Sequence, residues 1–352
     1  MSTQRVLGGK AKSWTLALAL TTSLISPLTF PSASAFAQDG DACASVDLAT
    51  PPSEPVEIRF GLTGGGEEPL ALLWADRGSY PNNGLFYDLE PTQYAPTDRM
   101  AAFQAGQLDA GTISFPALVA AVRRGIDARA VAIMVQVNQA DNEGAFVALA
   151  GGGISAPEDF AGKRVGYYGP NTISEYWVKS AMKRAGADPD DVSFLALPPP
   201  AQEQALRNSQ IDVAWLARQF LARAEQAGGV EAILTPYEAT GANQPSLLVF
   251  FSPAFVEANP QAYCAWRADY VQALETWQAD RESLFATLIE ADYLTPSAAN
   301  AGPDGGRSPG GTISLSELDA TVQDMVEVGF LDPEMVIPAS DMVLTGFGLI
   351  EQ

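Results

Sequence analysis

Polar side chains cluster in this chain where strands are expected to give way to helices. Gly64, Gly65 and Gly66 run into Glu67 and Glu68. Thr112 and Ser114 precede Phe115, and Asn171, Thr172 and Ser174 follow Tyr167 and Tyr168. Pro199 and Pro200 open one further segment, and Trp215 with Gln219 opens another. The free N–H groups of a helix start, aided by the helix dipole, favour negative charge, so these positions suit the capture of a small polar solute. Each also has a plainer reading. Glu67 and Glu68 fit the first turn of a helix, with Pro69 at an early helical position. Asn171 to Ser174 fit capping, and Trp215 fits a core.

Bond-breaking chemistry has little to work with. The chain contains no histidine, which removes the commonest general base near neutral pH, the Ser-His-Asp and Cys-His arrangements, and the commonest metal ligand. Cys43 and Cys264 are the only cysteines, too few for a thiolate metal cluster. Carboxylate chemistry stays open, but neither an enzyme nor a cofactor is expected. The formal charge of −22 repels nucleic acid and anionic lipid heads, so neither is an expected partner.

The elements that must position these residues follow an export signal. Residues 1–14 carry Arg5, Lys10 and Lys12 without an acid, residues 15–30 are apolar, and Ala35 and Ala37 form a small-residue cleavage pattern. Residues 1–37 therefore read as a cleaved signal peptide. No later segment has the roughly 18 apolar residues of a membrane span. Export leads to an oxidising compartment, where a Cys43–Cys264 disulfide is expected, two free thiols being the alternative. After a linker over 38–55, alternation predicts strands at 56–62, 86–94, 109–114, 128–136, 144–150, 162–168, 191–197, 211–217 and 232–237. Helices are expected at 98–107, 115–125, 173–186, 201–210 and 218–227. That order implies an α/β fold with mainly parallel sheets. Beyond the apolar run 245–253 the chain reads as helical over 254–293 and 314–329, and the Gly/Pro/Ser-rich stretch 297–312 reads as a mobile surface loop.

Three phrases carry a family likeness: A-x-x-x-G-x-x-D-x-G from Ala102 to Gly111, D-F-x-G-K-x-V from Asp159 to Val165 with the polar turn GPNTIS after it, and Ile211-Asp212-Val213-Ala214. Asn208-Ser209 stand where the last theme usually has glycine. Together these resemble the substrate-binding proteins of nitrate, sulfonate and taurine ABC importers, a group that includes binders of thiamine pyrimidine precursors. The resemblance spans residues 56–290. It implies a two-lobed type II periplasmic-binding-protein fold, with strand crossings near 146–153 and 244–252 and closure by hinge bending. Lobe one is then 56–151 and 244–352, its second part mostly helical, and lobe two is 152–243.

Ligands of such sheets lie beyond the carboxyl ends of the strands. The expected lining is Gly65, Gly66, Glu67, Thr112, Ser114 and Phe115 from lobe one, and Tyr168, Asn171, Thr172, Ser174, Pro200, Trp215 and Gln219 from lobe two. The set holds no arginine or lysine. The resemblance implies a periplasmic monomer that captures a small organic solute, of sulfonate, taurine or nitrate type, for an ABC importer permease in the cytoplasmic membrane. A thiamine pyrimidine precursor, or another nitrogen-rich or zwitterionic solute stacked on Tyr168 or Trp215, is the alternative. Related folds include a pyrimidine-forming enzyme whose essential histidine this chain lacks.

Overall fold

The computed structural model describes residues 40–63, 65–140, 143–296 and 304–351. The expected signal peptide, Gly64 and residues 297–303 of the expected loop lie outside the described residues. Among the described residues ten strands form in chain order: β1 (Val56–Leu62), β2 (Tyr87–Gln93), β3 (Ala110–Ser114), β4 (Arg129–Val137), β5 (Gly144–Leu149), β6 (Lys163–Tyr167), β7 (Val192–Ala196), β8 (Val213–Ala217), β9 (Val230–Leu234) and β10 (Gln244–Phe251). Between and after them run α1 (Glu68–Ala75), α2 (Pro96–Gln104), α3 (Phe115–Arg123), α4 (Ile173–Arg184), α5 (Pro199–Arg207), α6 (Arg218–Ala227), α7 (Pro236–Thr240), α8 (Pro253–Ala258), α9 (Pro260–Asp280), α10 (Phe285–Glu290) and α11 (Leu315–Glu327). Proline stands at the first or second position of α1, α2, α3, α5, α7, α8 and α9. Its fixed φ and missing N–H suit a helix start, which explains why this proline-rich chain keeps its helices intact.

The strands make two five-stranded sheets, ordered β2-β1-β3-β10-β4 and β7-β6-β8-β5-β9. These are the same arrangement twice, α/β and mostly parallel. In each sheet one strand is antiparallel, β10 in the first and β5 in the second. The reason is topological: each is the strand that arrives from the other sheet. The chain leaves a sheet at the carboxyl edge of a parallel strand, so the next strand begins at the facing edge and must run away from it. Four chain ends are thereby brought to one gap, those of β4 and β9 and the starts of β5 and β10.

The sheets divide the chain at different residues from those expected. β5 pairs with β8 and β9, so the first crossing is 138–143 and the second lies just before Gln244. The glycine triplet 151–153 is instead the turn that ends β5, with Gly151 and Gly153 at positive φ and the Gly152 N–H donating to the Leu149 carbonyl. Side-chain burial decides this allocation. Ala145 and Val147 pack with Leu206, Ile211 and Leu216, and Phe146 packs with Phe160 and Trp215.

A repeated ion pair locks the central parallel strands of both sheets. Arg59 Nε and Nη2 donate to Asp109 at 2.9 and 2.6 Å, and the Arg59 N–H adds a third bond at 3.0 Å. Arg164 and Asp212 make the same three contacts at 3.0, 2.7 and 2.9 Å. The two aspartates belong to the sequence phrases that carried the family likeness.

The Gly/Pro-rich stretch departs from expectation where it is described. Gly305, Gly306, Ser308 and Gly311 are buried, and a Cβ at Gly306 would lie 2.1 Å from the Gln136 carbonyl. The Gln136 N–H donates to the Gly306 carbonyl at 2.8 Å. Glycine serves here for close approach to β4, making 304–312 a strap. Cys43 and Cys264 form a disulfide with Cα atoms 5.4 Å apart, tying the segment before β1 to α9.

Candidate ligand cleft

The turn from β1 into α1 is built around Glu67. Its carboxylate accepts from the N–H groups of Thr63 at 2.7 Å and Gly65 at 3.2 Å and from the Thr112 hydroxyl, and its own N–H donates to Tyr293 Oη at 3.2 Å. Glu67 and Thr112 therefore brace the loop. Gly66 takes a positive φ that few other residues tolerate, turning its carbonyl toward Arg307. Gly65 faces the second sheet, where an added Cβ would lie 3.5 Å from Gln219 Nε2.

Around this turn lies a charge cluster absent from the sequence expectation. The Arg307 side chain is only 4% exposed. Its Nη1 donates to the carbonyls of Gly66 and Met134 at 2.7 and 3.1 Å, its Nη2 to Glu68 at 2.9 Å and Asp304 at 3.0 Å, and its Nε to Asp304 at 2.9 Å. Burial opposes its charge, yet Asp304 and Glu68 hold Arg307 above its ordinary value. Burial likewise opposes the Asp304 carboxylate, but Arg307 outweighs it and keeps that group below its usual range. Arg218 Nη2 stands 3.6 Å from Glu68 and 3.8 Å from Asp304. A cation in the first turn of α6 is at the unfavourable end of the helix dipole. These two carboxylates from the opposite lobe and the strap offset that, and the ion pairs couple the two sheets.

Glu143 ends the first crossing. Its carbonyl accepts from the Arg218 N–H at 2.9 Å, and its carboxylate accepts from Ser246 Oγ of β10 at 2.8 Å. Burial pushes the Glu143 carboxyl up to about 7, with Ser246 and Arg307 pulling the other way. Tyr168 lies within electrostatic reach, and burial raises its hydroxyl as well.

The other expected residues divide by what they touch. The Tyr168 N–H donates to Ser174 Oγ at 3.1 Å, Thr172 Oγ1 to the Gly169 carbonyl at 2.6 Å, and the two hydroxyls are 3.1 Å apart, knitting the turn into α4. Asn171 is exposed at φ 59°, its N–H donating to Glu175. Pro200 is exposed in the first turn of α5. Ser114 is half-buried at the α3 start and makes no capping bond. Phe115 and Trp215 belong to the core instead: Phe115 is fully buried, and Trp215 packs on Trp177 at 4.8 Å and Phe146 at 5.0 Å. Trp215 Nε1 lies near the Tyr168 hydroxyl without a well-formed hydrogen bond. The far edge of the Trp215 ring lies by the end of the first crossing, where a Cβ added at Gly144 would stand 3.0 Å from Cη2. Among the described residues no cluster of acidic and cysteine side chains could hold a metal ion, and no helix is long and apolar enough to cross a membrane.

Sequence reasoning missed Arg307, Arg218, Asp304, Glu143 and Ser246. The usable signal for Arg307 and Asp304 was a lone cation and a lone acid inside a run of glycines, a pattern that fits burial as well as it fits a loop. A sequence profile of the family described as NMT1/THI5 like matches residues 72–276, more than half of the chain. The chain belongs to the NMT1/THI5-like family. Solved structures share the fold of this family member at low identity. The periplasmic aliphatic sulphonate binding protein SsuA from Escherichia coli is 17% identical with a TM-score of 0.65, covering 85% of this chain and 95% of its own. The alkanesulfonate-binding protein SsuA from Xanthomonas axonopodis pv. citri, bound to MOPS, is 15% identical with a TM-score of 0.64, covering 82% and 99%. The periplasmic nitrate-binding protein NrtA from Synechocystis PCC 6803 is 13% identical with a TM-score of 0.62, covering 80% and 84%. No curated protein matches the sequence.

Proposed function

We propose that this NMT1/THI5-like chain is the extracytoplasmic solute-binding component of an ABC importer, a non-catalytic clamp that closes on a small solute and presents it to a membrane permease. The observation that carries this reading is the gap between two equivalent sheets, to which the β1–α1 turn, the α4 and α6 starts and both crossings contribute. Gly65 with Gln219 and Glu68 with Arg218 approach across it. Sulfonate, taurine or nitrate is the favoured ligand class, supported by the sulfonate-binding and nitrate-binding proteins that share the fold. The apolar run of residues 15–30 and the small-residue pattern after it support periplasmic delivery.

A second reading draws on Glu143. A carboxyl held near neutrality beside a tyrosine suits an aminopyrimidine, to which it can both donate and accept hydrogen bonds. Thermal-shift screening of mature protein against methanesulfonate, taurine, nitrate and 4-aminopyrimidine discriminates the two, because a ligand that binds only the folded state raises the melting midpoint. The confirmed ligand should also lower the radius of gyration in small-angle scattering, since only closure brings both lobes onto one molecule. An unchanged radius counts against the clamp.

A further inference from the structure

Arg99 lies on α2 directly over the bare face of Gly61 in β1. A Cβ at Gly61 would stand 2.9 Å from Arg99 Cγ and 3.0 Å from Cδ. Side chains slant toward the start of their helix, so the guanidinium is carried toward the carboxyl end of β1, within electrostatic reach of Glu67. The residue is 2% exposed, and neither Nε nor Nη1 has a hydrogen-bond partner. Burial draws the guanidinium down to about 10, with Glu67 opposing the fall, which leaves it charged at neutral pH. A buried cation with idle N–H groups is costly unless something supplies the missing acceptors.

The second sheet contains the same position in a satisfied form. Gly166 of β6 corresponds to Gly61, and the residue lying over it from α5 is Gln202, whose Oε1 would be 2.9 Å from an added Cβ. Gln202 Oε1 accepts from the Trp215 N–H at 3.0 Å, and its Nε2 donates to the Leu197 carbonyl at 3.3 Å. The architecture therefore accommodates a neutral, fully paired amide at this place.

We propose that Arg99 is a specificity-determining residue of the cleft, its guanidinium receiving the oxyanion of a sulfonate- or nitrate-like solute at the carboxyl end of β1. This rests on the solute-binding reading and narrows it to anionic ligands. Charge-assisted hydrogen bonds to a buried oxyanion are strong because the alternative is an unpaired buried charge.

The test copies the second sheet into the first through Arg99→Gln, with Arg99→Lys retaining the charge alone. Wild type and both variants are titrated calorimetrically with methanesulfonate, taurine and sodium nitrate, using chloride at equal ionic strength as the control. Wild type should bind at least one of the three. R99Q should bind it about 10- to 100-fold more weakly, with R99K intermediate. The ligand-free melting midpoint of R99Q should be unchanged or higher, since an unpaired buried cation has been removed. Undiminished oxyanion binding by R99Q overturns the proposal, as does a sharp fall of its ligand-free midpoint, which would make Arg99 a structural cation. If wild type ignores all three oxyanions but is stabilised by 4-aminopyrimidine, the assignment of Arg99 fails while the clamp stands. If none of these solutes binds, both fail.

Discussion

Glu143 titrates close to neutrality at the point where the chain passes from one sheet to the other. In an unfolded chain its carboxyl has an ordinary value of 4.5, and in the fold it is pushed up to about 7. Between those values the folded protein keeps a proton that the unfolded chain releases, so the stability present below the lower value is lost as pH rises through the higher one. The effect amounts to about 3 kcal/mol at most. Glu143→Gln should flatten urea-unfolding stability between pH 5 and 7.5, and a wild-type slope retained in the variant would mean another group is responsible. Trp215 is an aromatic packed on Phe146 and Trp177. Trp215→Ala leaves a cavity against Phe146 and Trp177 and should cost about 3–5 kcal/mol of folding stability in urea titrations.

Among elements, the strap 304–312 does what the crossings alone cannot. Through Asp304 and Arg307 it joins β4 and α1, on the side of the first sheet, to the start of α6 on the second. Its glycines are required by distance: Gly306 passes so close to the Gln136 carbonyl that any side chain must displace it. Gly306→Ala should lower stability by about 1–3 kcal/mol through overpacking. In hydrogen exchange the Gln136 N–H should lose protection, because its acceptor is the Gly306 carbonyl. Slow exchange persisting at Gln136 would show that the strap tolerates the methyl group.

For the molecule as a whole, one apolar cluster runs through both sheets, from Phe250 and Ile113 of the first to Phe146 and Trp215 of the second. Helix α11 contributes Leu318, Val322 and Met325 to it, and its Asp324 accepts from Tyr176 and Arg184 of α4. If the proposed clamp closes, it pivots about this shared core. The disulfide lies elsewhere, joining residues 221 apart in sequence. A cross-link over so long a loop restricts the unfolded chain strongly, so reduction should cost about 2–5 kcal/mol, read as a fall in the urea midpoint with dithiothreitol. An unchanged midpoint would mean that the native contacts of Cys43 and its neighbours carry no net stabilisation from the bond.

The alternation of strands with proline-started helices was legible in the sequence because it depends on local rules. Apolar period and helix-start chemistry act over a few residues, and the strand β8 and helix α6 follow directly from the run Ile211 to Ala227. The Arg59–Asp109 and Arg164–Asp212 pairs also left a trace, in the repeated phrases around the two aspartates. Allocation of β5 to the second sheet left none, since an apolar strand fits either sheet and pairing is settled by Phe146 and Val147 finding their neighbours. The charge cluster was equally hidden. Arg307 is distant in sequence from Gly66, Glu68 and Met134, and a glycine-rich stretch has the same composition whether it passes through solvent or under a sheet edge. Only the tertiary structure decides that, because desolvation and ion pairing depend on which distant groups close around a side chain.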